Sequence, residues 1–443
     1  MTERQRPHIL IVGGGYVGMY TALRLQKKLR RDEAMVSVID PLSYMTYQPF
    51  LPEAAAGNLE PRHVVVPLRR VLPRAQILNG RVTRIEHARR VVTFMPNAGE
   101  PVEISYDIIV VAPGSVARTL PIPGLAENGI GFKTVGEAIY LRNHVLAKLD
   151  IAASTSEPAV RRRALTFVFV GGGYAGVEVL AELEDMARDA TRSYDGVEPD
   201  DMRWVLVEAS GRILPEVSED LGRYTVNELR RRKIDVRLGT RLVSAENHHI
   251  VLSDGEEFDA HTLVWTAGVK ANPMVAQSDL PVDGKGRLKG TAFLRVEGLD
   301  DAWTAGDSAA IPDLSKSEPD ALCGPSAQHA VRQAKHLGDN IAAVLHGQEP
   351  TVYKHAYAGS VASLGLHKGV AQVYGIKLRG WPAWVMHRTY HLMRVPTFNR
   401  KVRVAADWTL ALFFHREIVS LGALQNPREE FELASKPASS SSS

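Results

Sequence analysis

Glycines and carboxylates, placed twice in the same order, are the residues of this chain whose spacing carries chemistry. Gly13-x-Gly15-x-x-Gly18 follows the apolar run Ile9-Leu10-Ile11-Val12, and Gly171-x-Gly173-x-x-Gly176 follows Phe167-Val168-Phe169-Val170. In such a fingerprint the first glycine makes a tight turn, the second lets the backbone approach a pyrophosphate, and the third lets the next helix pack closely. That helix aims its free N–H groups at the phosphates. One match is a weak signal. Two, about one domain apart and each behind its own strand, imply a chain that holds two dinucleotides, and the reason to hold two is to pass electrons between them.

Each site also needs an acid for the ribose. A helix over 16–29 and a strand over 36–39 lead to Asp40, twenty-two residues past Gly18, where a carboxylate accepts both ribose hydroxyls. After the second fingerprint, a strand over 203–207 ends at Glu208, thirty-two residues past Gly176, and the polar stretch 185–201 accounts for the excess. A carboxylate there accepts the 2′-hydroxyl of NADH and repels the 2′-phosphate of NADPH. NADH is therefore expected, with Arg212 the nearby cation that argues the other way. Gly306-Asp307 closes a strand, and in two-dinucleotide flavoproteins such an Asp lies against the ribityl chain and phosphate of FAD. Its plainer and compatible reading is an N-cap for 308–310. Gly114 and Gly268 close two more strands, the second near the expected nicotinamide edge. Glu178, two residues after Gly176, either points toward a nicotinamide or favours the positive end of its helix dipole.

The frame that must position these residues is α/β: two Rossmann-like dinucleotide-binding domains, one inserted in the other, with a C-terminal α+β region. The expected layout is residues 1–118 with 279–347 for FAD, 119–278 for NADH, and 348–434 for membrane association or a dimer contact, with a strand over 371–376. A length of 443 residues and 45% hydrophobic content supply cores without cross-links. The single cysteine, Cys323, excludes an intrachain disulfide and any Cys-x-x-Cys chemistry, and it fits a reducing compartment. No apolar run suggests a signal peptide or a membrane-crossing helix. The Ser-rich end, 435–443, is expected to be disordered.

Charge is uneven near the end. Residues 377–416 hold eight Lys and Arg, seven aromatics and one acid, Asp407. As a helix, 384–395 puts His387, Arg388, His391 and Arg394 on one face, away from Val385, Met386, Tyr390 and Met393, and 402–414 is nearly all apolar but too short to span a bilayer. A basic, aromatic, amphipathic segment reads as an interfacial anchor, each cation adding roughly 1 kcal/mol near an anionic surface. The alternative is a helix pair that packs on the protein or on a second copy of the chain. Nothing else supports nucleic acid, and the His387–His391 spacing lacks a further ligand, so no metal is expected.

In order along the chain, Gly13-Gly14-Gly15-Tyr16-Val17-Gly18, Tyr47-Gln48-Pro49, Gly171 through Glu178, Trp265-Thr266-Ala267-Gly268, Ala305-Gly306-Asp307, Ala327-Gln328 and Gly380-Trp381-Pro382-Ala383-Trp384 resemble the type II NADH:quinone oxidoreductases. These are single-subunit, non-pumping NADH dehydrogenases of respiratory membranes. The resemblance implies FAD in the first site, NADH as substrate in the second, a quinone of the menaquinone or ubiquinone type as acceptor, and peripheral attachment on the cytoplasmic side of the cell membrane. It places Gln328 at the flavin edge facing the quinone. A second Gln usually follows four residues on; here Arg332 holds that position and Gln333 comes one later, turned away from Gln328. Glu178, Gln328, Arg332 and Gln333 are thus the candidate catalytic residues. Two other readings keep both nucleotide sites: a soluble NADH-dependent reductase of a protein acceptor, and a low-turnover NADH-binding flavoprotein sensor. Sulfide:quinone and disulfide reductases need redox cysteines that the chain lacks.

Overall fold

The computed structural model describes residues 6–318, 320–355, 359–414 and 416–421; the Ser-rich end, 435–443, and part of the expected 348–434 region lie outside the described residues. The run His8–Val12 is buried on both faces beyond its first residue, so it must lie inside a parallel sheet covered on both sides. It pairs in parallel with Met35–Asp40 on one side and Ile108–Val111 on the other, and Ala302–Thr304 extends the sheet beyond Ile108–Val111. Gln76–Glu86, Val91–Pro96 and Val102–Ser105 complete seven strands, the last two added antiparallel. Val12 stands opposite Ile39 and Val111, so the strand ends that carry Gly13, Asp40, Gly114 and Asp307 gather at one sheet edge. Ligands of open α/β sheets sit at such an edge.

The second sheet repeats the scheme. Thr166–Val170 lies between Arg203–Glu208 and Thr262–Trp265, all parallel, in a five-stranded sheet. Val170 stands opposite Val207 and Trp265, which gathers Gly171, Glu208 and Gly268. Two short antiparallel strands, Ser115–Ala117 and Val269–Ala271, tie the chain leaving the first sheet to the chain returning from the second.

The long helix Ala327–Leu345 packs along the first fingerprint helix, Tyr16–Lys28. Gly338 makes the approach possible, since a Cβ there would lie 2.7 Å from Arg24 Cβ, and an Arg24–Asp339 ion pair at 2.8 Å closes the seam. Beyond it, Gly359–Ser363, Gly369–Val373 and Ile376–Arg379 form an antiparallel sheet. The single strand expected over 371–376 is instead a hairpin. Tyr374 at φ 48° and Gly375 at φ 83° turn the chain with the two left-handed residues a tight hairpin requires.

Two helices, Trp381–Arg394 and Phe398–Leu410, follow, and their orientation corrects the sequence expectation. The His387 and Arg388 face is not the wet one. Both side chains are buried, and they meet carboxylates of the protein itself. The side turned outward instead bears Met393, 74% exposed, and Trp381, 59% exposed. Buried acids on other elements, invisible to a helix projection, drew His387 and Arg388 inward, while Arg394 of the same face stays exposed. No helix among the described residues is long and apolar enough to cross a membrane.

Candidate functional site

The two fingerprints show in atoms what the glycines are for. A Cβ on Gly18 would lie 1.7 Å from the Gly13 carbonyl oxygen, and one on Gly176 would lie 2.0 Å from that of Gly171. Those glycines let each helix close on its own turn. At Gly15 and Gly173 a Cβ would meet nothing within 4 Å. These middle positions border open space, the cradle a pyrophosphate needs. Gly13 and Gly171 take φ of 103° and 117°, which side chains disfavour.

The acids match in the same way. Asp40 Oδ2 accepts from the Gly14 N–H at 2.6 Å and its Oδ1 from the Leu42 N–H at 2.7 Å. Glu208 Oε2 accepts from the Gly172 N–H at 2.6 Å and its Oε1 from the Ser210 N–H at 2.7 Å. Each carboxylate is thereby fixed beside its glycine turn. Burial holds the Asp40 carboxyl above its ordinary value, against the two N–H groups that lower it. Arg212, the cation that argued for NADPH, donates to the backbone carbonyls of Leu214 and Val217.

At the first site, Asp307 caps no helix over 308–310. A short turn runs into the strand Ala309–Ala310, and the carboxylate Oδ2 accepts from Ser115 Oγ at 2.6 Å. Ser115 Oγ in turn accepts from Lys133 Nζ at 2.5 Å. Burial pulls the Lys133 ammonium below its ordinary value, and the Asp307 charge resists. Gly114 at φ 73° leads into Ser115, and Gly306 at φ 73° lies against Val17 of the first fingerprint helix. Sequence reasoning missed Ser115 and Lys133, because neither sits in a spaced motif; only the pairing of sheet edges joins them to Asp307. Gly268, at φ 90°, accepts from the Arg118 N–H and so belongs to the crossover between the two sheets.

The helix Ala327–Leu345 divides the candidate acceptor residues between two environments. Gln333 is 1% exposed, and its Oε1 accepts from the Gly306 N–H at 2.8 Å, so it holds the turn that carries Asp307. Gln328 faces elsewhere: its amide donates to the Gly359 carbonyl at 3.3 Å, and its oxygen lies 3.1 Å from His355 Nε2. Arg332 donates to the Gln328 carbonyl at 3.2 Å, which sets its cation one turn below Gln328. Cys323 is buried and its thiol is pushed up to about 11 by that burial, with Asp313 adding to it, so no ready thiolate exists there.

Glu178 is not at the end of its helix. No acid occupies the first turn of Tyr174–Ala190, which removes the dipole reading, and Glu178 is 7% exposed. Its Oε1 accepts from the Ser363 N–H at 2.8 Å and lies 3.2 Å from His387 Nε2. The latter is a close ionic contact rather than an aligned hydrogen bond, since neither ring nitrogen of His387 has a well-directed partner. Burial opposes charge on His387, yet the Glu178 carboxylate holds it above its ordinary value. The ring of His391 packs 4.6 Å from that of His387, and burial, then His387, keeps it far below its ordinary value and neutral. His391 Nδ1 lies 3.1 Å from the Tyr47 hydroxyl, and Tyr47 packs on Tyr16, which opens the first fingerprint helix. Glu178, His387, His391 and Tyr47 thus form one chain of polar groups between the two nucleotide regions.

The acids beside it were also missed. Glu53 is 2% exposed and pairs with Arg388 at 2.9 Å, while Trp408 donates to the same oxygen at 2.7 Å. The Arg388 guanidinium lies between the rings of Trp384 and Trp408, at 4.2 Å and 4.7 Å. Glu182, 1% exposed, accepts from Asn58 and Ser363. In the sequence Glu53 is a lone acid in an apolar run, which is the one signal that could have marked it.

Comparison with known proteins gives the family. The model of the pyridine nucleotide-disulphide oxidoreductase family matches residues 7–334. The chain is 31% identical over 392 residues to the type II NADH:quinone oxidoreductase of Staphylococcus haemolyticus, covering 87% of this chain and 94% of that protein. It is 30% identical over 391 residues to the protein of the same name from Staphylococcus saprophyticus, with the same coverage. The solved structure of NDH2 from Plasmodium falciparum in complex with NADH superposes with a TM-score of 0.87 over 94% of this chain and 100% of that one, at 18% identity, a likeness of fold. The chain belongs to the pyridine nucleotide-disulphide oxidoreductases and, within them, to the type II NADH:quinone oxidoreductases.

Proposed function

We propose that residues 1–118 with 279–347 hold FAD, that 119–278 bind NADH, and that the chain oxidises NADH and reduces a membrane quinone without proton pumping. The observation that carries this reading is the duplicated sheet edge, with Gly15, Asp40 and Asp307 at one and Gly173 and Glu208 at the other. The open Cβ positions at Gly15 and Gly173 fit a pyrophosphate in each cradle. FAD held there would supply the hydride-accepting and two-electron chemistry, so the protein must position and tune rather than supply a nucleophile.

The residues divide this work. Asp40 and Glu208 take ribose hydroxyls, and Glu208 selects NADH because Arg212 is already committed to carbonyls. Ser115, held between Lys133 Nζ and Asp307 Oδ2, fixes the Asp307 carboxylate toward the first site. Gln333 is a positioning residue for that turn. Gln328 and Arg332, whose side chains donate one N–H each to the Gly359 and Gln328 carbonyls, would offer their remaining N–H groups to a quinone carbonyl that gains negative charge. Quinone reduction by NADH consumes one proton from water. The pair Glu178 Oε1 and His387 Nε2, 3.2 Å apart, can hold it, which gives Glu178 the role of assisting a proton.

Attachment to a membrane surface rests on a patch at the C-terminal helices. Phe398 is 81% exposed and Phe413 is 77%, with Val402, Leu410, Leu412 and Phe414 beside them in sequence and also exposed. These residues fit the acyl boundary on the cytoplasmic side of the cell membrane. A homodimer contact is the competing use of the same face.

Anaerobic mixing of the FAD-loaded protein with NADH, then with a soluble quinone analogue, tests the whole reading. Fast bleaching of the flavin by NADH, slow bleaching by NADPH and fast recovery with quinone are expected. Bleaching without recovery would move the acceptor to a protein partner or to a sensing role.

A further inference from the structure

We propose that Asp313, Cys323 and His329 form a binding site for one divalent cation of the zinc class. Their ligand atoms all lie within 4.8 Å of one another, and this is the one such group among the described residues. They come from separate points of the sequence, which is why spacing did not reveal them. The backbone builds the site. Asp313 N–H donates to Ala321 at 2.7 Å and Cys323 N–H to Ile311 at 2.8 Å, so two facing rungs of a hairpin place the carboxylate and the thiol side by side. His329 lies on the first turn of the helix Ala327–Leu345, where its N–H is capped by Ser326 Oγ at 3.1 Å.

The surroundings suit a metal. Asp313 is 9% exposed and Cys323 is 7%, which is scarce water for two groups that both carry charge when deprotonated. Asp313 Oδ1 accepts from the Ser315 N–H and hydroxyl, and among the described residues no hydrogen bond is made to Oδ2. The Tyr353 hydroxyl lies 3.0 Å from His329 Nδ1 and fixes the ring, the kind of outer partner that orients metal-bound imidazoles. One sulfur, one nitrogen and one oxygen form a tetrahedral zinc set with water as fourth ligand. Ligand atoms in such a set stand roughly 3.3–3.8 Å apart, so side-chain rotation of about 1 Å closes the site. On binding, the Cys323 S–H bond breaks, a sulfur–metal bond forms, and the proton leaves to buffer. The metal then pins the hairpin to the turn that carries Gln328.

Cobalt(II) titrated into the FAD-loaded protein under reducing conditions is the test, because its tetrahedral bands lie in the red, beyond oxidised flavin. One equivalent is expected to give intense red bands and a thiolate charge-transfer band, both removed by one equivalent of zinc. Cys323→Ser should lose the charge-transfer band, and His329→Gln should weaken binding at least tenfold. Flavin content and bleaching by NADH report whether each variant has folded. Weak octahedral bands in the folded wild-type protein, or bands unchanged in folded Cys323→Ser, would overturn the site.

Discussion

At Gly18 an added methyl group would sit 1.7 Å from a carbonyl oxygen, and at Gly15 it would meet nothing within 4 Å. The two glycines therefore fail differently. Gly18→Ala should destabilise the apoprotein by several kcal/mol, because backbone must move to admit the Cβ. Gly15→Ala should leave its melting temperature near wild type and yet lower FAD retention, since the methyl group occupies the phosphate's space. Equal loss of stability in both would refute the cradle. The same scale decides the coenzyme. Glu208→Gln removes the charge that repels a 2′-phosphate, and the NADH-to-NADPH ratio of kcat/KM should fall at least about tenfold. Arg212 gives no rescue while it stays on the Leu214 and Val217 carbonyls. An unchanged ratio would take selectivity away from Glu208. These residues were legible in the sequence because the glycines sit at fixed spacing and each acid closes the strand that follows the fingerprint helix. Ser115 and Lys133 were not, since Asp307 reaches them only across paired sheet edges.

The helix Trp381–Arg394 shows where periodicity ends. Its spacing revealed an amphipathic helix, but which face is wet depended on Glu53 and Glu178, more than two hundred residues away in sequence. Breaking one partner of a buried ion pair leaves the other charge stranded, a cost of about 3–5 kcal/mol. Arg388→Met should lose stability on that scale and loosen both C-terminal helices, because Trp408 shares the Glu53 oxygen. Adding Glu53→Gln should recover part of the loss in a thermal-melt double-mutant cycle, and simple additivity would argue against coupling. Glu182, in the same cluster but on the helix Tyr174–Ala190, adds a pH signature. Burial, then the Glu53 carboxylate, pushes it from 4.5 up to about 7. The folded chain thus holds this proton more tightly than the unfolded chain does. Its contribution to stability is complete below about pH 4.5 and is lost as pH climbs through about 7. Glu182→Gln should match wild type at the acid end and gain about 2–3 kcal/mol on it above that pH. A gain at acid pH instead would reverse the assignment.

Across the whole molecule, charge and greasiness are kept apart. The net charge of +3 says little, and some of the basic side chains near the end are already paired with acids of the protein, Arg388 with Glu53 in the interior and Lys377 with Arg379 on Asp220 at the surface. The proposed attachment to a bilayer would therefore fall less to cations than the sequence suggested and more to exposed apolar area. Phe398, Phe413 and Phe414 are each more than two-thirds exposed, and burying a Phe side chain is worth about 1.5–3 kcal/mol. Three such rings suffice for a firm but reversible hold on vesicles, one that weakens only modestly with salt because apolar burial is not screened. Replacing all three by Ser should abolish flotation with anionic liposomes while leaving flavin bleaching by NADH and turnover with a water-soluble quinone unchanged. Turnover with a long-tailed quinone carried in vesicles should fall, since that acceptor is reached only from the surface. If flotation persists in the triple variant, the patch is not the anchor. If flotation never occurs and the variant instead halves the mass seen in gel filtration, the same rings seat a second copy of the chain, and the quinone must come to the protein by another face.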